Sequence, residues 1–220
     1  IDDYMARFDR YIKRSEAREL ARGYVVGLMM DGERKSVEPM SERVHASERG
    51  LQRLLTEVKL DHEGVMGEYR RQMLDETADP QGVLLIDDTA FPKKGKHSVC
   101  VARQYCGLRG KVDNCQIGVS MTYVGQGFAW PYAMKLFVPQ SWDNLDDPEC
   151  LRLREKTRMP EGAHYREKWR MALDLVDLIE ADGVPHRAVV ADSWYGNIMD
   201  FRRGLDERNK KYVVGIRSDT

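Results

Sequence analysis

The hydrophobic positions of this chain change period part-way along it. Tyr4, Phe8, Tyr11 and Ile12, then Leu20, Tyr24, Val25 and Leu28, recur at helical spacing between charged residues, which predicts two helices, or one interrupted, ending at Gly32. Ser36 and Pro39 suit the opening of another helix that runs to about His45. Ser47 is an N-cap candidate for the next, whose apolar stripe is Leu51, Leu54, Leu55 and Val58; Asp61 could cap a further one with Val65, Tyr69 and Met73 on one face. Ala78-Asp79-Pro80-Gln81-Gly82 interrupts the pattern, so a helical N-terminal domain is expected over 1–79 and a second domain over 80–220.

The second region reads as strands. Val83 to Ile86 is an uninterrupted apolar run, expected to be buried on both faces, and it stops at Asp87 and Asp88. A turn over Pro92–Gly95 follows, then strands over Ser98–Cys106, Cys115–Val124 and Phe128–Val138, separated by turns at Gly107–Gly110 and Gly125–Gly127. Ser141 to Pro160 is dense in charge, with Asp143, Asp146, Asp147 and Glu149, and follows no buried run; a solvated loop is expected there, with Trp142 as a packing anchor. From Tyr165 to Glu180 the residues Trp169, Leu173, Val176 and Ile179 mark one face of a long helix ending at Gly183 and Pro185. Ala188 to Ala191 is a second short apolar run, and it too ends in an acid, Asp192. A short helix over Met199–Arg208 and a strand over Tyr212–Ile216 close the chain. The long helix serves as the crossover that lets the Asp192 strand run parallel to its neighbour.

Composition narrows the class. With 220 residues and 42% hydrophobic content the chain can bury a core. Asn114 to Met134 carries no charge, but its Gln, Gly and Pro residues favour two strands and a turn over a membrane span. Cys100, Cys106, Cys115 and Cys150 match no metal-ligand spacing and read as small hydrophobes in a reducing cytosol. The first residue is Ile1 rather than Met, as in a fragment or a trimmed chain. Net charge is only -1, yet Lys93, Lys94, Lys96, Arg103, Arg109 and Lys111 lie between Asp88 and Asp113 with no acid among them.

Each acid taken singly, Asp87 or Asp192, reads as a strand-end carboxylate or a helix cap. Together they read differently, because parallel neighbouring strands would bring both to one sheet edge, where ligands of α/β sheets bind. Carboxylates beside a basic field suggest Mg²⁺ or Mn²⁺ and a polyanion. The six cations would then hold the phosphate backbone.

The blocks IDDTAFPKKGKHSV, ARQYCGLRGKVDNCQIGVS, LFVPQSWDNLDDPECLRLR, VVADSWYG and YVVGIR resemble the DDE transposases of bacterial insertion sequences, within the RNase H-like, retroviral-integrase-like superfamily. The resemblance runs from about Arg7 to the chain end. It implies an RNase H-like mixed α/β sheet behind an all-α N-terminal domain, strand cleavage and transfer at insertion-sequence ends, and a bacterial, cytoplasmic, nucleoid-associated protein. It also implies double-stranded DNA as partner and a homodimer as the active form. Carried over by motif, the first catalytic and metal-binding acid falls on Asp87, with Asp88 its neighbour, and the second on Asp192. The family's third acid, a Glu, comes from a helix beyond the last resembling strand, so these 220 residues are expected to be inactive alone. Ala90 and Cys100 stand where the family usually has Gly.

Two short helices meeting near Ala46 have the proportions of a helix-turn-helix with Arg49 and Arg53 outward. Residues 1–79 hold 14 basic and 17 acidic side chains, so an ordinary helical bundle remains open beside it. Two other functions also remain open: a DNA-binding regulator or inactive transposase remnant, and a nuclease of the same fold that cuts without joining.

Overall fold

The structure is a computed structural model, and it describes residues 1–95 and 97–218. They fall into two compact units, Ile1–Glu76 and Thr77–Thr220. Among the described residues no helix is long and apolar enough to cross a membrane.

The first unit is helical: α1 (Asp2–Ala6), α2 (Ser15–Met29), α3 (Val37–Arg43), α4 (Glu48–Thr56) and α5 (His62–Thr77), with a 3-10 turn at Asp9–Tyr11. Ile12, Ala17 and Leu54 form a small core with Leu20, Tyr24 and Val58 packed against it. Ser47 caps α4 by accepting from Gly50 N–H at 3.1 Å, and Asp61 accepts from Gly64 N–H at 3.0 Å at the start of α5. The stripe expected on α5 differs from the one observed. Glu68 and Gln72 are buried there while Val65, Tyr69 and Met73 are half-buried. Glu68 is tolerated because Arg10, Arg71 and Gln72 all donate to it. These bonds hold its carboxyl below the usual range against the opposing effect of burial.

The second unit is built on a mixed sheet: β1 (Val83–Pro92), β2 (Ala102–Cys106), β3 (Lys111–Gly125), β4 (Phe128–Leu136), β5 (Ala188–Ala191) and β6 (Tyr212–Val214). Its order is β2-β3-β1-β5-β6, with β4 also pairing β3. β1, β3 and β4 form an antiparallel meander, whereas β5 and β6 run parallel to β1. This is the RNase H-like strand order. α7 (Lys168–Ala181) makes the crossover into β5, and α8 (Ser193–Gly196) and α9 (Met199–Glu207) connect β5 to β6.

One face of the sheet is covered and the other open. Leu84 and Ile86 are 0% and 1% exposed, whereas Leu85 between them is 42% exposed; the first strand is therefore buried on one face, not both. On the covered side Val119, Met121, Tyr123, Val189 and Ala191 are buried, and β3 packs against α7, where Leu175, Val176 and Ile179 are buried. The open side carries Leu85, Phe91, Met134, Leu136 and Val213, all partly exposed. β1 also continues six residues beyond the acids' first neighbour, Ile86, because β3 pairs with it as far as Pro92↔Cys115.

Two further expectations are corrected. β2 begins at Ala102 rather than Ser98, because Cys100 adopts φ 57 and Val101 N–H turns back to Ser98 O. The acidic stretch after β4 is not all loop. It contains α6 (Pro148–Lys156), with Asp147 as N-cap and Pro148 in the first turn. Arg154, 7% exposed, donates to Trp142 O at 2.7 Å and Ala163 O at 2.9 Å, and Trp142 Nε1 donates to Val101 O at 2.8 Å. The segment is thereby sewn to the end of the sheet. All four cysteines are buried and free, and burial pushes the Cys100 and Cys115 thiols up to about 11.

Candidate active site

The last paired residues of β1 and β5 are Ile86 and Ala191. Asp87 and Asp192 are the residues that immediately follow, one step past a ladder whose strands run about 4.8 Å apart. Residues aligned in a parallel pair share a face, so both acids continue the open face of Leu85 and Val190. Both are exposed. Across β1 the register sets Ser120 of β3 beside Asp87, and Ser120 Oγ donates to Asp87 O at 3.0 Å.

Among the described residues each carboxylate keeps one oxygen without a protein partner. Asp192 caps α8, its Oδ1 accepting from Trp194 N–H at 3.0 Å and Tyr195 N–H at 3.2 Å; Asp87 Oδ1 accepts from Asp88 N–H at 2.7 Å. Among the described residues no hydrogen bond reaches either Oδ2. A pair of hard, outward oxygens on adjacent strands suits a divalent cation that prefers oxygen ligands and retains water. The set is incomplete, since among the described residues no group of three or more His, Cys, Asp or Glu side chains could hold a metal ion.

Asp88 points to the opposite face. Its Oδ1 accepts from Tyr195 Oη at 2.6 Å and its Oδ2 from Lys168 Nζ. Lys168 Nζ also lies 4.1 Å from the centroid of the Trp194 ring, which packs edge-on to Tyr195 at 4.8 Å. Burial raises the Tyr195 pKa strongly, and the carboxylates of Asp88, Asp192 and Asp87 add to the rise. All three acids thus act on one phenol.

The cations after Asp87 gather on the part of the sheet that projects past β5. Lys93 and Lys94 are exposed just beyond β1, Arg103 is exposed on β2, and Lys111 opens β3. Arg109 is also exposed but is paired with Asp113 at 2.6 Å. Lys96 lies outside the described residues. Neither Lys168 nor Tyr195 stands out in the sequence as a site residue; the available signal was only the spacing Asp-x-x-Tyr after the second apolar run.

A family model described as DDE superfamily endonuclease matches residues 7–220. A curated relative from Microchaete diplosiphon, "Probable transposase for insertion sequence element IS701", is 28% identical over 221 residues, covering 100% of this chain and 54% of the relative. The chain therefore spans about half the length of the curated relative it matches.

Proposed function

Since the chain belongs to the DDE superfamily endonucleases, we propose that it carries the core of a transposase that cleaves and transfers DNA strands at insertion-sequence ends, acting as a homodimer. The observation that carries this reading is the parallel register that makes Asp87 and Asp192 neighbours on the open face, directly beside the projecting basic ribbon. In the proposed site Asp87 and Asp192 each offer a free Oδ2 to Mg²⁺ or Mn²⁺, and a third carboxylate comes from outside the described residues. Divalent cations held by these carboxylates would supply Lewis-acid activation of the attacking oxygen and stabilisation of the leaving one. The chain's own part is positioning: the strand ends fix the two carboxylates, and the ribbon's cations hold the phosphates in line with them.

Nicking of supercoiled plasmid in Mg²⁺ tests this reading, using both the 220 residues alone and a polypeptide extended to the relative's length. We expect little nicking by the former and clear nicking by the latter, abolished by Asp87→Ala. Persistent nicking in the Asp87→Ala protein would remove the assignment.

We further propose that residues 1–79 bind DNA through a helix-turn-helix. α3 has 7 residues and α4 has 9, joined over 44–47, with His45 at φ 51 in the turn. Met40 of α3 and Leu51 of α4 are both fully buried, and the two helices pack on each other. Arg49, Gln52 and Arg53 are exposed on α4, where the second helix of such a motif meets base edges. The two surfaces should behave differently in binding titrations. Replacing Lys93 and Lys94 by Ala should weaken all duplexes alike and reduce the salt slope by roughly 2. Arg49→Ala should cost about 1–3 kcal/mol on a preferred sequence only. An unchanged salt slope in the first variant would make the ribbon a merely solvated face, and an equal loss on all sequences in the second would deny α4 a reading role.

A further inference from the structure

Backbone hydrogen bonds alone do not fix the separation of the two acids, because the β1–β5 ladder ends at Ile86 and Ala191, one residue short of them. Asp87 and Asp192 carry like charges, which favour spreading of the strand tips. The first tie beyond the ladder is made by side chains. Tyr195 Oη donates to Asp88 Oδ1 at 2.6 Å, while the backbone N–H of the same Tyr195 donates to Asp192 Oδ1 at 3.2 Å. One residue therefore grips Asp192 directly and grips the neighbour of Asp87.

This tie is held from behind. Tyr195 is 1% exposed and its ring packs against Phe201 at 5.4 Å between centroids, so the hydroxyl cannot swing away without opening the core. Lys168, the first residue of α7, takes the second oxygen of Asp88 and lies over Trp194. The cation partly neutralises a cluster that otherwise holds three carboxylates. Both oxygens of Asp88 are occupied on the covered face, which leaves Asp87, and not Asp88, to meet a ligand.

We propose that Asp88, Tyr195 and Lys168 are positioning residues that set the separation of Asp87 and Asp192 for a divalent cation, an inference that rests on the metal-site reading above. Residues that orient metal ligands typically change metal affinity by about 10–100-fold when lost. Lys168 contributes by keeping Asp88 turned from the open face, and Tyr195 by joining the two strand ends.

The test is Mn²⁺ binding to the 220-residue chain, followed by electron paramagnetic resonance at millimolar metal, beside thermal unfolding in EDTA. Tyr195→Phe keeps the ring and removes only the tie. It should weaken Mn²⁺ binding about 10-fold or more, with a melting temperature in EDTA close to that of the parent. Asp88→Asn still accepts from Tyr195 and should bind Mn²⁺ better than Asp88→Ala, which loses both partners. If Tyr195→Phe and Asp88→Ala bind Mn²⁺ like the parent while Asp87→Asn does not, the positioning role is overturned and the metal pair stands. If Asp88→Asn abolishes binding as Asp87→Asn does, Asp88 is itself a ligand and the proposal fails. Unchanged binding in Asp87→Asn, or no binding by the parent, overturns the metal reading and this inference with it.

Discussion

Asp192→Asn is expected to fold almost as stably as the parent and to nick DNA on the order of 10³-fold more slowly in the polypeptide that carries the full activity. The Asp192 side chain has two separable roles. Asp192 Oδ1 accepts from Trp194 and Tyr195 N–H, a capping task that the amide oxygen of Asn performs about equally well. Oδ2 has no protein partner among the described residues and becomes an amide nitrogen in the variant, which cannot ligate a cation. Asp192→Ala loses both roles and should cost in addition about 1 kcal/mol from the uncapped α8. Nicking rates in Mg²⁺ with melting temperatures in EDTA distinguish the two substitutions. A wild-type nicking rate in Asp192→Asn would reduce Asp192 to a helix cap.

That Asp87 and Asp192 follow adjacent parallel strands was legible in the sequence because each comes after a short apolar run, a local signal, and because a helix-length pattern between the runs implies a right-handed crossover. What periodicity does not encode is which faces other elements cover. Val83 to Ile86 looked buried on both sides, yet Leu85 faces outward, since α7 lies on the face that carries Leu84, Ile86 and Asp88. The extent of β1 was likewise hidden. Its continuation through Asp88 to Pro92 depends on pairing with Cys115 to Val119, a partner distant in sequence. α6 is a different case, because Asp147-Pro148 is a start signal that was present in the sequence but obscured by the surrounding charge. The Asp88–Tyr195 bond spans 107 positions, and nothing local announces it. Helical spacing in the N-terminal region gave α3 and α4 within two residues at their ends, because Ser36 and Ser47 are start signals that act locally.

Gly196→Ala is expected to be the most damaging single methyl addition near the site, costing about 3 kcal/mol of stability and weakening Mn²⁺ binding as well. A Cβ at Gly196 would lie 1.9 Å from the Gly215 carbonyl oxygen and 3.0 Å from both Gly215 C and Val214 Cβ. The obstacle is mostly backbone, which cannot rotate out of the way as a side chain does. Nor is there slack on the other side: a Cβ on Gly215 would stand 2.9 Å from Ser193 N, and Gly215 N–H is bonded to Ala191 O at 3.2 Å. To admit the methyl group, α8 must move away from the end of β6. That movement carries the N–H groups of Trp194 and Tyr195 with it, and so displaces the Asp192 carboxylate they orient. Gly107→Ala is the matched control. Nothing lies within 4 Å of a Cβ there, so its stability should stay within about 0.5 kcal/mol of the parent. Urea unfolding of both variants in EDTA measures the first effect, and Mn²⁺ titration of the folded proteins measures the second. A Gly196→Ala protein as stable as Gly107→Ala, with unchanged Mn²⁺ affinity, would mean that α8 can slide freely over β6, and that the geometry of the two acids is held by something other than this close backbone contact.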